Sequence, residues 1–278
     1  MNQLARKRVV LPFLFACISN GLYAVDGVEL IDMKRVMAGK ITLADTPGFP
    51  VTISQPGSYR LTENITVPDT STTGFDITAD NVTLDLNGFS IIGPNVCTPN
   101  PTRCSAAGGG VGVHAGSFSP GIVASQGVKV MNGNVRGMGF HGVRLMGEAT
   151  VVERVHTHSN GGPGIVVGAG SVIDSVANLN GGSGIIGFLV RGSIAQENAT
   201  VGIFIRSGGL ASENTSLLNG GDGVNVTKGT VTGNTITSNK GFGISATCPG
   251  TIVGNTAVDN LLGNIRAFGV CTLANNAQ

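Results

Sequence analysis

Two histidines in the segment Val155-His-Thr-His-Ser159 are the residues whose types and spacing best suit chemistry. If Thr157 points inward on a β-strand, His156 and His158 project from the same face, about 7 Å apart. Imidazole titrates near neutral pH, so this pair could transfer protons or hydrogen-bond to hydroxyl and carboxylate groups. The spacing also suits a metal ion, but no third ligand is in view, and we expect neither a metal nor another cofactor.

The neighbours of these histidines follow from an internal repeat. Glycine followed by Ile or Val recurs every 18 to 22 residues, at Gly142, Gly164, Gly184, Gly202, Gly223 and Gly243. Asparagine recurs in phase, at Asn160, Asn180, Asn198, Asn219, Asn239 and Asn260. A repeat of about 20 residues with Gly or Asn at its corners is typical of one coil of a parallel β-solenoid. Asn suits a corner because it tolerates left-handed backbone and its amide can bond to the next Asn.

Other positions of the repeat are aliphatic or small in every coil. One column contains Val143, Ile165, Ile185, Ile203, Val224, Ile244 and Ile265, and a second contains Val152, Val172, Val190, Ala211, Val231 and Ile252. A third is uncharged and mostly small: Thr157, Ala177, Ala195, Ser216, Ile236 and Ala257. We expect all three columns to face inward, because one coil cannot bury its own interior and stacked coils place like residues over like.

These patterns predict an all-β fold, a single-stranded right-handed parallel β-helix (solenoid) of about nine coils over residues 49–278. An irregular loop insertion is expected at residues 94–126. Residues 25–48 are predicted to cap the open strand edges of the first coil. Within them, Asp26-Gly-Val-Glu29 resembles a capping box, and apolar spacing predicts a capping helix over Val28–Ala38.

The N-terminus predicts export from the cytosol. Arg6-Lys7-Arg8 precedes an apolar run, Val9–Ser19, with the charge and length of a secretory signal rather than a membrane span. We predict a signal peptide over residues 1–24, cleaved after Ala24, and a periplasmic or extracellular location. The alternative is a lipid anchor at Cys17, which lies in a segment similar to a bacterial lipoprotein cleavage box. No other stretch is long and apolar enough to span a bilayer.

Four further cysteines predict two disulfides, as suits an oxidising compartment. Cys97 and Cys104 bracket a Pro-rich loop. Cys248 and Cys271 lie 23 residues apart, close to one repeat, which places them on adjacent coils about 4.8 Å apart. The alternative is four free, buried thiols.

A family resemblance supports this fold. The run Ile65-Thr-Val-Pro, the segment Asn81-Val-Thr-Leu-Asp-Leu-Asn-Gly-Phe89 and the Gly-Ile coils ending in Asn-Gly-Gly resemble the right-handed parallel β-helix proteins of the pectate-lyase-like superfamily. The resemblance covers about residues 45–275 and is nearest to exported bacterial members. It does not select an activity, because this architecture hosts lyases, hydrolases, esterases, epimerases and adhesins. The Arg-Ile-Lys and Asp-Pro-His motifs of its enzymes are missing, and His141-Gly142 has no paired aspartates.

The repeat spacing places polar residues beside the two histidines. Subtracting one repeat sets Asn134 beside His156 and Arg136 beside His158, and adding one or two extends the row. The predicted polar strip consists of Asn134, Arg136, His156, His158, Asn178 and Gln196. Such a strip could donate hydrogen bonds to sugar hydroxyls or a carboxylate. The alternative is an ordinary solvated sheet face.

A second outward row is apolar. It contains Val166, Ile186 and Phe204, with Phe188 two residues beyond Ile186, and we call these four residues the apolar strip. Large apolar groups side by side on an exterior are unusual for a monomer. They predict a docking surface for a second copy, giving a homo-oligomer, or for the loop Ser105–Gly121 of the same chain.

The charge of the chain argues against a nucleic-acid partner, because the net charge is only +1 and 12% of the residues are charged.

Three functions remain open. The leading hypothesis is an exported, non-catalytic protein that binds a polysaccharide or an envelope glycan through the polar strip. The second is a polysaccharide lyase or glycosidase acting on an acidic polysaccharide, with Arg136, His156 or His158 as its catalytic groups. The third is a structural module that self-assembles through the apolar strip.

Overall fold

Short strands dominate the computed structural model, which describes residues 27–105, 108–116 and 124–278. The predicted signal peptide and Cys17 lie outside the described residues. The helix and strands, in chain order, are β1 (Val28–Ile31), α1 (Met33–Ala38), β2 (Val51–Ile53), β3 (Gly57–Leu61), β4 (Ile65–Thr66), β5 (Phe75–Ile77), β6 (Val82–Asp85), β7 (Ser90–Ile92), β8 (Cys97–Thr98), β9 (Arg103–Cys104), β10 (Val113–Ala115), β11 (Lys129–Arg136), β12 (Val143–His158), β13 (Ile165–Ile173), β14 (Val176–Asn178), β15 (Ile185–Arg191), β16 (Ile194–Gln196), β17 (Ile203–Ser212), β18 (Thr215–Leu217), β19 (Val224–Thr227), β20 (Thr230–Thr232), β21 (Thr235–Thr237), β22 (Phe242–Thr247), β23 (Thr251–Val253), β24 (Thr256–Val258), β25 (Gly263–Phe268) and β26 (Thr272–Ala274).

The strand segments of successive coils form three parallel stacks. Stack A runs through β2, β5, β10, the first parts of β12, β13, β15 and β17, and then β19, β22 and β25. Stack B runs from β1 through β3 and β6 to β26, and stack C runs from β4 through β7 to β24. The predicted parallel β-solenoid is therefore confirmed. Stack A contains ten strands over the described part of the chain, one coil more than predicted, because the first coil lacks the Gly-Ile signal.

The three inward columns fill a continuous apolar interior, as predicted. From Val143 to Ile244 the first column is completely buried, and the second and third columns are at most 1% exposed. Ile265, in the last coil of stack A, is only partly buried against the same core. Stacking like over like therefore removes each coil's aliphatic groups from water, which one coil alone could not do.

A first Asn ladder runs along the interior at the corner between stacks C and A. It consists of the six predicted residues Asn160, Asn180, Asn198, Asn219, Asn239 and Asn260, all of them buried. Each Nδ2 donates to the Oδ1 of the next Asn at 2.9–3.0 Å, and the backbone N–H of the same residue donates to that oxygen as well. Each amide from Asn180 onward also donates to a carbonyl of the previous coil. The buried amides are therefore fully paired, as a dry interior requires.

A second Asn ladder, which sequence reasoning missed, follows the corner between stacks B and C. Its amides link Asn214, Asn234, Asn255 and Asn276 at 2.9–3.0 Å. Ser193 and Ser175 continue it toward the N-terminus through backbone-to-side-chain hydrogen bonds. Spacings of 20, 21 and 21 residues between these asparagines would have revealed it.

The corner geometry corrects one sequence expectation. The ladder asparagines themselves are not left-handed. Instead, the residue before each ladder asparagine has left-handed backbone, with φ of 52–58°. These residues are Ser159, Leu179, Glu197, Leu218, Ser238 and Asp259. The left-handed residue bends the chain at the corner, so that the following side chain points into the interior and can join the ladder.

The N-terminal cap differs from the prediction in its first half. Val28–Ile31 is not helical but forms β1, which pairs in parallel with β3, so the helix predicted from Val28 is wrong. Asp26 of the predicted capping box lies outside the described residues. The short helix α1 begins at Met33, and the carboxylate of Asp32 accepts from the backbone N–H of Arg35 at 2.8 Å. An alternating segment gains a full ladder of hydrogen bonds at the open edge of stack B, which outweighs its helical spacing. Val36 of α1 is completely buried in the core, so a capping helix is present.

Both predicted disulfides are present. Cys97–Cys104 closes the antiparallel hairpin β8–β9, which we call the disulfide hairpin, and Cys248–Cys271 ties together the last two coils. The predicted loop insertion at 94–126 is not wholly irregular, because it contains β10, which pairs with β5 and β12 in stack A. No helix in the described ranges is long and apolar enough to cross a bilayer.

Replacing Asn198 with Ala should destabilise the solenoid by about 2 kcal/mol or more, because the buried Nδ2 of Asn180 loses one of its two acceptors, the backbone N–H of Asn180 loses its side-chain acceptor, and the carbonyl of Ala177 loses a donor. Urea unfolding followed by circular dichroism measures the effect. The matched control is Asn225→Ala, on the outer side of stack A, for which we expect less than about 1 kcal/mol. Equal losses in the two variants would contradict the role given to the ladder.

Candidate functional site

The six residues of the polar strip lie side by side on the outside of stack C. Asn134 pairs with His156, Arg136 with His158, and β14 and β16 continue the second row with Asn178 and Gln196. Their neighbours Val135, Thr157, Ala177 and Ala195 are completely buried. Because alternate residues of a strand face opposite ways, the strip must point outward. The predicted juxtaposition is confirmed, whereas its role in binding remains a prediction.

The two histidines of the strip are neutral at physiological pH. Their ring centroids lie 5.1 Å apart with a tilt of 41°. Burial lowers the pKa of His156, and burial together with the nearby His156 and Arg136 lowers the pKa of His158. Each neutral ring can donate one hydrogen bond and accept another, so Arg136 is the one cation among the six strip residues. Nε2 of His156 is buried and has no hydrogen-bond partner among the described residues.

A depression of about 290 Å³ borders the strip where the strands of stack C begin. Arg154 and Asp174 line it together with Asn134 and His156. Sequence reasoning did not include Arg154 or Asp174 in the strip. Both have left-handed backbone at the corner between stacks B and C, and that corner could not be located before the strands were known.

The disulfide hairpin borders the strip on its other side, where the strands of stack C end. Nδ2 of Asn95 donates to the carbonyl of Ser159 at 3.1 Å, and the hydroxyl of Thr102 donates to the carbonyl of Glu197. Gly181 lies beneath the disulfide, and a Cβ atom there would come within 2.8 Å of Cys104 Sγ. The hairpin is therefore anchored to several successive corners and forms a fixed wall beside the strip.

A separate charged cluster lies on the outside of stack A, and sequence reasoning missed it. Asp76, His114 and Arg144 occupy successive coils, with Asp76 Oδ1 2.8 Å from His114 Nδ1 and His114 Nε2 2.9 Å from an Arg144 guanidinium nitrogen. A guanidinium group only donates, so Nε2 accepts, and Nδ1 donates its proton to the carboxylate. Asp76 and His114 are 38 positions apart, and His114 and Arg144 are 30 positions apart, because an insertion interrupts the repeat between them.

His141 lies beside this cluster. It is 8% exposed, and its Nδ1 is buried without a hydrogen-bond partner in the described part of the chain. Burial and the positive charge of Arg144 lower its pKa to about 4, so the ring is neutral at pH 7. The sequence singled out His141 only as an isolated His-Gly pair, since nothing local indicates that His114 and Arg144 lie nearby.

The apolar strip is less exposed than a free docking surface would require. Val166 is 6% exposed, Ile186 and Phe204 are half-buried, and Phe188 is 41% exposed. Docking of a second copy therefore remains a prediction, with Phe188 as its most accessible residue. The alternative cover, the loop Ser105–Gly121, lies partly outside the described residues.

The described residues contain no group of three or more His, Cys, Asp or Glu side chains placed to hold a metal ion. His156 and His158 therefore have no third ligand of these types within the part of the chain that the structure describes.

Comparisons with known proteins concern the fold alone. No protein-family model matches the sequence, and no curated protein is significantly similar to it. The structure is similar to the A-module of Azotobacter vinelandii mannuronan C-5 epimerase AlgE4, at 14% identity and a TM-score of 0.48 over 74% of this chain and 70% of that one. The AlgE6 A-module of the same organism gives 13% identity and a TM-score of 0.44 over 82% and 87%. The Dettilon tailspike protein gp208 gives 13% and 0.45 over 74% and 41%.

The low pKa of His141 makes the protein less stable as the pH falls. The folded state keeps the ring neutral down to about pH 4, whereas the unfolded chain takes up the proton near pH 6.5. We expect His141→Gln to reduce the loss of stability between pH 7.5 and 4.5 by roughly 2 kcal/mol. Urea unfolding at pH 7.5 and at pH 4.5 measures this loss of stability. At pH 7.5 the ring is neutral in both the folded and the unfolded state. An unchanged pH dependence in the variant would show that His141 is not held neutral.

Proposed function

We propose that this protein binds a polysaccharide along the polar strip, outside the cytosol, without turning it over. The main observation in support of this proposal is that six outward polar side chains are aligned on four successive coils. Adjacent coils repeat about every 4.8 Å along the axis. A linear polymer lying along this axis would therefore meet a new set of hydrogen-bonding groups at each coil.

The chemistry of the strip fits sugar hydroxyls better than a strongly charged ligand. Asn134, Asn178 and Gln196 carry amides that both donate and accept, as does the neutral ring of His158. Nε2 of His156 is buried, so only the other nitrogen of that ring can reach a sugar. Arg136 adds one exposed donor that can pair with a carboxylate or bridge two hydroxyls. A strip with one cation favours a neutral or sparsely charged glycan, bound with little dependence on salt.

Location supports the same proposal. The predicted signal peptide and the two disulfides favour a periplasmic or extracellular protein. Polysaccharides and envelope glycans are the polymers that such a protein meets.

Replacing Arg136 with Ala should weaken binding to a responsive polysaccharide about tenfold or more, because a hydrogen bond from a charged donor is worth about 1.5–3 kcal/mol. A glycan array identifies the polymer, and titration calorimetry measures the affinity. The control is Arg191→Ala, an exposed arginine at the end of β15 in stack B, which should bind like the wild type. An equal loss in both variants, or wild-type binding by Arg136→Ala, would refute binding at the strip.

Catalysis is the second candidate, and the Asp76–His114–Arg144 chain favours it. A carboxylate that fixes the tautomer of a histidine is the arrangement that orients an imidazole for proton transfer. In this case the protein would be a lyase or glycosidase acting on an acidic polysaccharide. His114, rather than His156 or His158, would transfer the proton after its Nε2 exchanged the Arg144 guanidinium for the substrate.

Product release separates the two candidates. The protein is incubated with a panel of uronic-acid polysaccharides, and the release of unsaturated or reducing ends is followed. Catalysis at the cluster predicts product from at least one polymer, lost in His114→Gln and retained in His158→Gln. Binding without turnover predicts no product from any polymer that the wild type binds.

A further inference from the structure

A groove of about 230 Å³ lies between the tip of the disulfide hairpin and the corners of the later coils. Pro99, Pro101 and Thr102 form its hairpin side, and Glu197, Leu218 and Lys240 belong to the solenoid side. Glu197 directly follows Gln196, the last residue of the polar strip. The groove is therefore a lateral continuation of the strip rather than a separate region of the surface.

Leu218 is an unexpected residue for its position. It has a φ of 57° and is 46% exposed. Left-handed backbone disfavours a side chain of this size, and an exposed leucine gains little from burial to offset that cost. Of the five equivalent residues, Ser159, Glu197, Ser238 and Asp259 are polar or charged, and the fifth, Leu179, is a leucine that is less exposed than Leu218. The solenoid therefore does not require an apolar residue here, whereas an apolar ligand surface would.

The groove combines apolar surface with unpaired charges. The two prolines face the same space as Leu218, and Glu197 and Lys240 stand at its edge. Neither charged side chain forms an ion pair with any described residue. A few polar groups around an apolar surface are typical of a small-molecule site, in which the polar groups orient the ligand.

We propose that this groove binds one sugar ring, a terminal or branching pyranose of the polysaccharide bound by the polar strip. The inference rests on the proposed function. The ring would place its apolar C–H face on Leu218 and the prolines, and its hydroxyls would bond to Glu197 and Lys240. A volume of about 230 Å³ is below the range typical of drug-sized ligands, which suits a single ring.

The disulfide holds the groove open in advance of binding. Cys97–Cys104 lies at the base of the hairpin whose tip carries the two prolines, and the bond from Thr102 to Glu197 fixes that tip. A wall that is already ordered loses little conformational entropy when the sugar binds.

Saturation-transfer NMR with the full chain tests the proposal. The probes are glucose, galactose, mannose, N-acetylglucosamine, glucuronate and galacturonate, each titrated separately, together with the polysaccharide that the strip binds. At least one monosaccharide should bind, and Leu218→Ser and Lys240→Ala should weaken it at least fivefold. Serine occupies the same left-handed position at Ser159 and Ser238, so Leu218→Ser should fold. The matched control is Leu43→Ser, 87% exposed and located in the N-terminal cap between α1 and β2, with no expected effect.

The outcomes distinguish this inference from the proposed function. Loss of monosaccharide binding in Leu218→Ser, with that binding retained in Arg136→Ala, supports a sugar site in the groove. Binding of the polymer that depends on Arg136 but is unchanged in Leu218→Ser overturns the groove and leaves the strip. No binding of any of the six sugars, or equal weakening by Leu43→Ser, also overturns it.

Discussion

The structure depends on pairing every polar group that its narrow interior buries. Three aliphatic columns exclude water, so an amide at a corner must find its partners within the protein. The two Asn ladders meet this requirement, because each side chain accepts from one neighbouring coil and donates along the stack. Because each ladder amide also bonds to the equivalent residue one coil away, the corners of successive coils must stay in register. The coils from Gly142 onward accordingly differ in length by only a few residues. An insertion into one of these coils would have to lie outside its corners.

The register of the interior columns also determines which side chains lie on the outer surface of the solenoid. Slipping a strand by one residue would bury the polar strip and expose Thr157, Ala177 and Ala195, so the interior columns define the exterior rows. The rows differ in character along the axis. Stack C presents amides and neutral imidazoles near the hairpin, whereas stack A changes from the Asp76–His114–Arg144 cluster to apolar side chains within a few coils. One scaffold therefore displays distinct surfaces without any change in its core.

Features that suit function concentrate where the repeat is interrupted. The segment between β7 and β11 supplies the disulfide hairpin, with its two groove prolines, and the strand that carries His114. It is anchored by contacts to corners far away in sequence, such as Thr102 to Glu197. A regular coil can only repeat a flat surface, whereas a hairpin laid over the corners creates a concave one. The candidate binding surfaces therefore depend on the repeat for their alignment and on the insertion for their shape.

The repeat alone was sufficient to predict the solenoid, the inward columns, the Cys248–Cys271 disulfide, the first Asn ladder and the pairing of Asn134 with His156 and Arg136 with His158. Each of these connects residues about one period apart, so counting along the chain locates the partner. The period says nothing about contacts that cross the insertion, such as Asp76 with His114, or about where the hairpin lies, so only the tertiary structure could reveal the charged cluster and the groove. The same holds for β1, whose alternating residues became a strand rather than a helix because an unpaired edge of stack B was present to receive them.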